Sequence, residues 1–306
     1  MAATLRPRFF PAAAPAIPEQ PAQTLWSITL TRLRRDRLTV LALAILLCFG
    51  LLAVLAGLIA HATGQDPDRI DLLNNFDPPS RQHWLGTDDD GRDQFIRLLY
   101  GARVSLSIGV LAAAVNLVVG VLIGAAAAFY GGAVDDLVVW IVNTFRSIPT
   151  FVLLLTISAL FTTGPVGLAL IIGFTTWTGA ARLVRGQVFQ LKQHDYVLAA
   201  RTLGASNARL IFRHVLPNVL PLVVVFLGID IGGVILTESG LSFLGFGVQP
   251  PVPSWGNMLT NAQTFFTHGP WLVYGPGFVI ALTVWCLYTV GDGFRDAIDP
   301  HGARSR

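Results

Sequence analysis

Long apolar runs alternate with short polar stretches over most of this 306-residue chain. The first run, 38–60, contains no charged residue and is longer than the about 20 residues that a helix needs to cross a bilayer. Five further apolar runs follow, so the pattern predicts an all-α integral membrane protein with six transmembrane helices. The predicted spans are 38–60, 104–130, 137–160, 166–181, 215–237 and 271–290.

The two ends of the chain lie outside this pattern. Residues 1–31 are rich in Ala and Pro and have no helical or strand period, which predicts a flexible tail. The six-span domain occupies 32–300, and 301–306 form a second tail. A cleaved signal peptide is the alternative for the first run, since Ala60-His61-Ala62 is similar to a cleavage site. Signal peptides have apolar regions of about 7–15 residues, so an uncleaved span is favoured.

The basic residues predict the orientation of the spans, because Lys and Arg accumulate on the cytoplasmic side. Six Arg precede residue 38, six basic residues lie within 181–214, and three Arg follow residue 290. The loop 61–103 combines five Arg with eight Asp, and the loop 238–270 has neither Arg nor Lys. This distribution places both termini and the segment 190–214 in the cytoplasm, with 61–103 outside.

Composition excludes several classes of function. Only 13% of the residues are charged, compared with about 25% in soluble domains. The single lysine, Lys192, is not preceded by Gly, so the chain has no Walker A motif of its own. Neither HExxH, Gly-x-Ser-x-Gly nor clustered Cys and His occurs, and we expect no catalytic residue, metal site or cofactor in this chain. The basic residues flank apolar runs, so nucleic acid is not an expected partner.

The polar segment 195–214 interrupts the apolar pattern and is predicted to be a helix-turn-helix. Its first helix places four residues on one face: Tyr196, Val197, Ala200 and Leu203. Gly204 suits the left-handed position that follows a helix, and Ser206 or Asn207 can cap the next one. At Pro217 the second helix either ends, or a new span begins with Pro in its first turn.

This segment has three possible interpretations: an amphipathic helix lying on lipid, an ordinary solvated loop, or a helix that inserts into a groove of another protein. Three Arg support the first of these. Lipid would favour Leu, Phe or Trp on the apolar face, so small residues favour insertion into a groove of another protein. The small residues are Ala199, Ala200, Gly204 and Ala205.

The same segment resembles the coupling motif of bacterial ABC-importer permeases, in which Glu-Ala-Ala is followed by Gly and later by Leu-Pro. Here Leu198 stands where that motif has Glu, and the matching residues are Ala199, Ala200, Gly204, Leu216 and Pro217. The resemblance implies that this segment transmits the motions of separate ATPase subunits to the spans. The residues implied are Leu198, Ala199, Ala200, Arg201, Leu203, Gly204, Ala205 and Pro217.

Three more stretches, 83–106, 241–259 and 291–300, resemble the oligopeptide/dipeptide branch of these permeases, C-type subunit. In 83–106, acids alternate with Arg, which predicts pairing within the loop. The resemblance implies the type I ABC importer permease fold and import of short peptides, with nickel complexes, glutathione or oligosaccharides as alternative solutes. It also implies a bacterial inner-membrane location and four kinds of partner: a homologous second permease, two ATPase subunits that bind ATP and Mg²⁺, an extracytoplasmic solute-binding protein and the lipid bilayer.

Polar residues inside the spans form a second set of candidates, on a substrate path. Asp230 lies midway along the fifth apolar run, where an ionisable group is costly and is by default a functional-site hypothesis. Its alternative is a packing role, bonded to Ser, Thr or Asn of another helix. Glu238 is predicted to line an outer vestibule, and Asn116 to form interhelical hydrogen bonds along the same path.

Two other classes of protein remain as alternatives. A gradient-driven secondary transporter would need intramembrane acid–base relays and often internal repeats. Only Asp230 and Arg146 are clear candidates for such a relay, and no strong repeat is visible. An intramembrane enzyme has no support from the motifs.

Overall fold

The computed structural model of the protein describes residues 25–298, and these form an all-α bundle. Two 3₁₀ turns lie in the loops, at Leu72–Asn74 and Asn257–Leu259. A π-helical stretch, Leu210–Val215, joins α9 to α10 without a break. The helices are α1 (Leu25–Arg35), α2 (Arg37–Thr63), α3 (Gln94–Tyr130), α4 (Gly132–Ser147), α5 (Thr150–Leu160), α6 (Pro165–Thr176), α7 (Thr178–Leu191), α8 (Asp195–Thr202), α9 (Asn207–Arg209), α10 (Leu216–Phe243), α11 (Ala262–His268) and α12 (Trp271–Ile298).

Within residues 25–298, four helices are long and apolar enough to cross a membrane: α2, α3, the continuous helix Asn207–Phe243 and α12. Two bent pairs, α4–α5 and α6–α7, raise the number to six if each pair is one span. The predicted all-α membrane fold is therefore confirmed.

The third and fourth predicted spans are not straight helices. Within 137–160 the chain bends by 78° between α4 and α5. Ile148 is extended there (φ −95°, ψ 128°), because the ring of Pro149 disfavours helical geometry in the preceding residue. Within 166–181 the bend is 44°, at Trp177. No Pro or Gly lies at the centre of this second bend, so the sequence does not predict it.

Several helix ends differ from the predicted boundaries, and those of α1 and α3 are the most informative. The predicted tail 1–31 is wrong from Leu25 onward, where α1 begins, and residues 1–24 and 299–306 lie outside the described part of the chain. The helix α3 begins at Gln94, well before the predicted start at 104. Asp93 caps it by accepting a hydrogen bond from the Ile96 backbone N–H at 2.8 Å, and this cap outweighs the charged residues of the first turns.

The outer-loop prediction of internal acid–Arg pairing is confirmed. Arg92 bonds Asp88 (Nε–Oδ2, 2.8 Å) and Asp90 (Nη2–Oδ2, 2.8 Å). Arg97, a buried residue of α3, lies 3.5 Å from the same Asp88 oxygen. Burial raises the pKa of Asp89, and the neighbouring carboxylates of Asp88 and Asp90 raise it further. The positive charge of Arg92 lowers the same pKa. The loop is thus tied to the first turns of α3.

The central helix of the bundle is α3, which contacts α2, α4, α6, α7, α10 and α12. Its pairing with α10 is antiparallel, since Ser105 meets Glu238 whereas Asn116 meets Asp230. Gly120 and Gly124 allow α7 to approach: a Cβ on Gly120 would lie 2.5 Å from Cβ of Ala180, and one on Gly124 would overlap the Ala181 carbonyl. These small residues therefore fix the α3–α7 contact.

Candidate functional site

The predicted coupling segment 195–214 forms a compact helix-turn-helix between α7 and α10. Its turn is a Schellman motif: the Ala205 N–H donates to the Ala200 carbonyl and the Gly204 N–H to the Arg201 carbonyl, both at 3.0 Å. Gly204 has φ +83°, as predicted, a conformation that side chains rarely adopt. Ser206 caps α9 through its hydroxyl, which accepts from the Arg209 N–H at 3.4 Å.

The inner face of this segment is part of a hydrophobic core. Val197, Leu210 and Val215 are fully buried. They pack with residues from the C-terminal halves of α3 and α7 and from the start of α10: Ala125, Ala128, Phe129, Val184, Val188, Leu191 and Val219. Ala200 and Ala205 pack at the edge of the same cluster. Apolar contacts therefore fix the segment to three long helices.

The outer face differs from the prediction. Leu203 is 88% exposed and Leu198 is 45% exposed, whereas Val197 is buried, so Tyr196, Val197, Ala200 and Leu203 do not share one face. The reason is that α8 ends at Thr202, and Leu203 already belongs to the turn. The small residues also divide: Ala199 and Gly204 are exposed, and Ala200 and Ala205 pack inward. The exposed surface combines Leu198, Ala199, Arg201, Leu203 and Gly204, and we call these five residues the outer face of the segment.

Three polar contacts supplement the apolar core, and the sequence patterns did not indicate them. Lys192 donates to the Ala128 carbonyl at 2.7 Å, in the last turn of α3, and its ammonium lies 4.2 Å from the centre of the Phe189 ring. The Arg201 guanidinium lies 5.6 Å from the centre of the Phe129 ring. Arg185 and Asp135 form a two-bond ion pair between α7 and α4, with both N–O distances 2.6 Å.

Pro217 lies in the first turn of α10, as one of the two predicted alternatives has it, but α10 continues the helical stretch before it. The helix runs without interruption from Asn207 to Phe243. The N–H of Leu216 reaches back to the Ile211 carbonyl, five residues earlier, in the wide π-helical turn before Pro217. Pro has no N–H to donate, and the wider turn accommodates it within the helix.

Asp230 and Asn116, two of the predicted path residues, are in direct contact. The Asn116 Nδ2 donates to both carboxylate oxygens of Asp230, at 3.1 and 2.9 Å, and to the Thr176 hydroxyl at 3.2 Å. Asn116 is 1% exposed, and Asp230 is half-buried. This contact joins α3, α10 and the end of α6. It agrees with the alternative prediction that Asp230 has a packing role, bonded to a polar residue of another helix.

Glu238 does not line a vestibule, and that prediction is wrong. Its side chain is 0% exposed. Its carboxylate accepts hydrogen bonds from Ser242 (2.8 Å) and Ser105 (3.1 Å). The same two hydroxyls accept from the backbone N–H groups of Val248 (3.0 Å) and Trp255 (3.1 Å). The loop that carries Val248 and Trp255 covers the carboxylate, and no local sequence pattern indicates this coverage.

Known proteins resemble this chain along nearly its whole length. Residues 120–303 match the family of binding-protein-dependent transport system inner membrane components, and residues 24–79 match the N-terminal TM domain of oligopeptide transport permease C. The chain is 38% identical over 277 residues to the oligopeptide transport system permease protein OppC of Bacillus subtilis, covering 90% of each chain.

Two further relatives are permease proteins named for the transport of other solutes. The dipeptide transport system permease protein DppC of Bacillus subtilis is 37% identical over 271 residues, which is 88% of this chain and 83% of that protein. The glutathione transport system permease protein GsiD of Pectobacterium atrosepticum is 35% identical over 289 residues, with 94% and 95% covered.

These matches agree with the helical bundle, its apolar spans and the helix-turn-helix between α7 and α10. The fold is the type I ABC permease fold, and the chain is a multi-pass transport component, not an enzyme. The chain belongs to the family of binding-protein-dependent transport system inner membrane components, in the branch of the C-type oligopeptide and dipeptide permeases.

Proposed function

We propose that this protein is a permease subunit of an ATP-driven importer that carries short peptides delivered by an extracytoplasmic binding protein. The names of its relatives support this cargo, since oligopeptides and dipeptides are short chains of amino acids. A nickel complex, glutathione or an oligosaccharide is the alternative cargo of the same importer class. Selectivity between them would reside mainly in the binding protein.

The complete importer would contain a second, homologous permease and two ATPase subunits. Because this chain lacks a Walker A motif, ATP and Mg²⁺ would bind to the ATPase subunits. Large apolar side chains such as Trp140, Phe145 and Phe151 are exposed along α4 and α5. Lipid and the second permease are the two surfaces that would cover them.

The distribution of Arg and Lys supports an orientation in a bacterial inner membrane with both termini cytoplasmic. In this orientation the segment 195–214 faces the cytoplasm, where the ATPase subunits would be. The loops 61–103 and 238–270 would face the binding protein.

One observation supports coupling through this segment most directly: its inner face is packed against α3, α7 and α10, whereas its outer face is exposed. A protein bound to the outer face would move all three helices together, because their packed side chains cannot slide apart without opening a cavity. ATP-driven closure of the two ATPases would then determine to which side of the membrane the path between the permeases is open.

The test is Gly204→Glu in the complete importer, reconstituted in proteoliposomes with ATP. We expect uptake of labelled Ala-Ala-Ala to fall at least tenfold while ATP hydrolysis continues. Two effects combine at this position: φ +83° strains any L side chain, and a carboxylate would enter the outer face. Gly204→Asn is the control for backbone strain, since Asn tolerates this conformation. Leu198→Glu is the control for charge, and we expect it to be tolerated.

Three outcomes would contradict the proposal in different ways. Normal uptake by Gly204→Glu would mean that the segment is an ordinary surface helix. Uptake by the wild type without ATP would exclude an ATP-driven importer. Uptake of a nickel complex or an oligosaccharide but not of Ala-Ala-Ala would exclude the peptide cargo and leave the coupling result intact.

A further inference from the structure

The contact between Asp230, Asn116 and Thr176 has too few hydrogen-bond donors for its acceptors. The two N–H hydrogens of the Asn116 amide serve three acceptors: both Asp230 oxygens and the Thr176 hydroxyl. The Thr176 hydroxyl uses its own hydrogen on the Ile172 carbonyl, at 2.9 Å. The Asn116 Oδ1 is buried and has no partner. A buried acceptor without a donor is costly, so this cluster favours a group that only donates.

Charge indicates the same kind of group. Within residues 25–298, no Arg, Lys or His forms an ion pair with Asp230. Asp230 is half-buried. A half-buried carboxylate without an ion-pair partner lacks a counter-charge, which a cation would supply.

Open space borders the cluster on two sides. Asp230, Gly233 and Thr237 follow one another at helical spacing on α10, and all three are half-buried. A Cβ built on Gly233 would meet no atom within 4 Å, and the same is true of Gly179, one turn beyond Thr176. The opposite face of α10 is closed, because Gly228 and Gly232 pack against α12. The side of α10 that carries Asp230 is therefore less tightly packed within this chain than the side against α12.

We propose that Asp230, together with Asn116 and Thr176, forms a binding site for a primary ammonium group on the path of the transported solute. An ammonium group has three N–H donors and no acceptor, which matches the surplus of acceptors and the unpaired charge. The inference rests on the proposed function, because every unblocked short peptide carries an α-ammonium group at neutral pH. Asp230 would then contribute to the selectivity of the permease itself.

Access to Asp230 is tested without any peptide. Asp230→Cys is made in a variant whose native thiols are removed by Cys48→Ala and Cys286→Ala, and the reconstituted importer is treated with a water-soluble methanethiosulfonate reagent. We expect labelling of position 230 and none in the matched control Val234→Cys, one turn away and buried. Absence of labelling at 230, both at rest and during ATP hydrolysis, would overturn the inference.

Recognition of the ammonium group is tested with Asp230→Asn, measured as uptake relative to the wild type. Asn can still pair with the Asn116 amide, so the variant should fold and assemble, which co-purification of the ATPase subunits checks. We expect uptake of Ala-Ala-Ala to fall about tenfold, the size of one hydrogen bond to a charged group, and Asp230→Glu to restore part of it. Uptake of N-acetylated Ala-Ala-Ala should not change, since it lacks the ammonium group.

The outcomes separate this inference from the proposed function. Equal losses for the two peptides, or no loss for either, would overturn the ammonium site and leave peptide transport established. If the wild type takes up neither tripeptide, the peptide proposal fails. The same Asp230→Asn comparison is then made with glutathione and with the amine-free chelate nickel citrate. A loss confined to glutathione supports the site, and any other result overturns it.

Discussion

The two ends of α10 are anchored by different kinds of contact. At the start of the helix, the segment 195–214 packs through Val197 and Leu210, together with the adjoining Val215, into an apolar core. At the other end, the Glu238 carboxylate joins Ser105 and Ser242, whose hydroxyls accept from two backbone groups of the following loop. The first anchor consists mainly of non-directional contacts, and the second is a network of directional hydrogen bonds.

This difference suggests how each end responds to force. Apolar side chains keep most of their contact energy when they slide by a fraction of an ångström, since dispersion contacts are many and individually weak. Hydrogen bonds weaken steeply when their angles change. We therefore expect the segment end to shift during transport and the Glu238 end to remain fixed or to change in one step.

Replacement of Glu238 by Leu should give the largest effect on stability, because it breaks the directional anchor. Two buried Ser hydroxyls would lose their acceptor, at about 1–3 kcal/mol each, so we expect a loss of about 3 kcal/mol in the free energy of unfolding. The measurement is unfolding in mixed detergent micelles. Glu238→Gln keeps an acceptor and should lose less than half as much. A Leu variant as stable as the wild type would show that burial of the carboxylate costs as much as its bonds contribute.

Replacement of Val197 by Ala weakens the apolar anchor and should have an intermediate effect. The change removes two methyl groups from a fully buried side chain, which corresponds to about 2 kcal/mol. Leu203→Ala, on the exposed side of the same segment, is the matched control and should change stability by less than about 0.5 kcal/mol. Equal effects of the two variants would mean that the segment is not anchored through its inner face.

Replacement of Lys192 by Met tests the main polar exception at the apolar end and should have the smallest effect. It removes a charged donor from the Ala128 carbonyl near the end of α3, for an expected loss of about 1 kcal/mol. Lys192→Arg, which keeps the charge, should retain most of this stability. Protection of the last-turn amides of α3 against hydrogen exchange would locate the effect. Unchanged protection in Lys192→Met would show that the end of α3 is equally stable when the Ala128 carbonyl accepts no hydrogen bond from the Lys192 ammonium.

Sequence reasoning succeeded where a feature depends on neighbouring residues. The apolar runs located the long helices, Gly204 adopts the predicted left-handed conformation, and Ser206 caps the second short helix. It failed where the outcome depends on distant parts of the chain. Glu238 is buried by a loop that folds back over it, and no local pattern encodes that coverage.

Intermediate cases show where the limit lies. The sequence indicates both Asp230 and Asn116 as polar residues within spans. They are 114 residues apart, however, and only the structure shows that they form a hydrogen bond. The helical period groups Leu203 with Val197 and Ala200, but α8 ends at Thr202, so Leu203 does not share their face. The bend at Ile148 had a local signal in Pro149, whereas the bend at Trp177 had none.

The continuous helix from Asn207 to Phe243 connects the two anchors. Its 37 residues correspond to a rod about 55 Å long, which is stiff along its axis. A displacement at one end must either reach the other end or be absorbed within the rod, and the π-helical turn at Leu210–Val215 is the widest and least regular part of it. Under the proposed coupling, the stiffness of this turn would determine how much of a displacement at the segment 195–214 reaches Glu238.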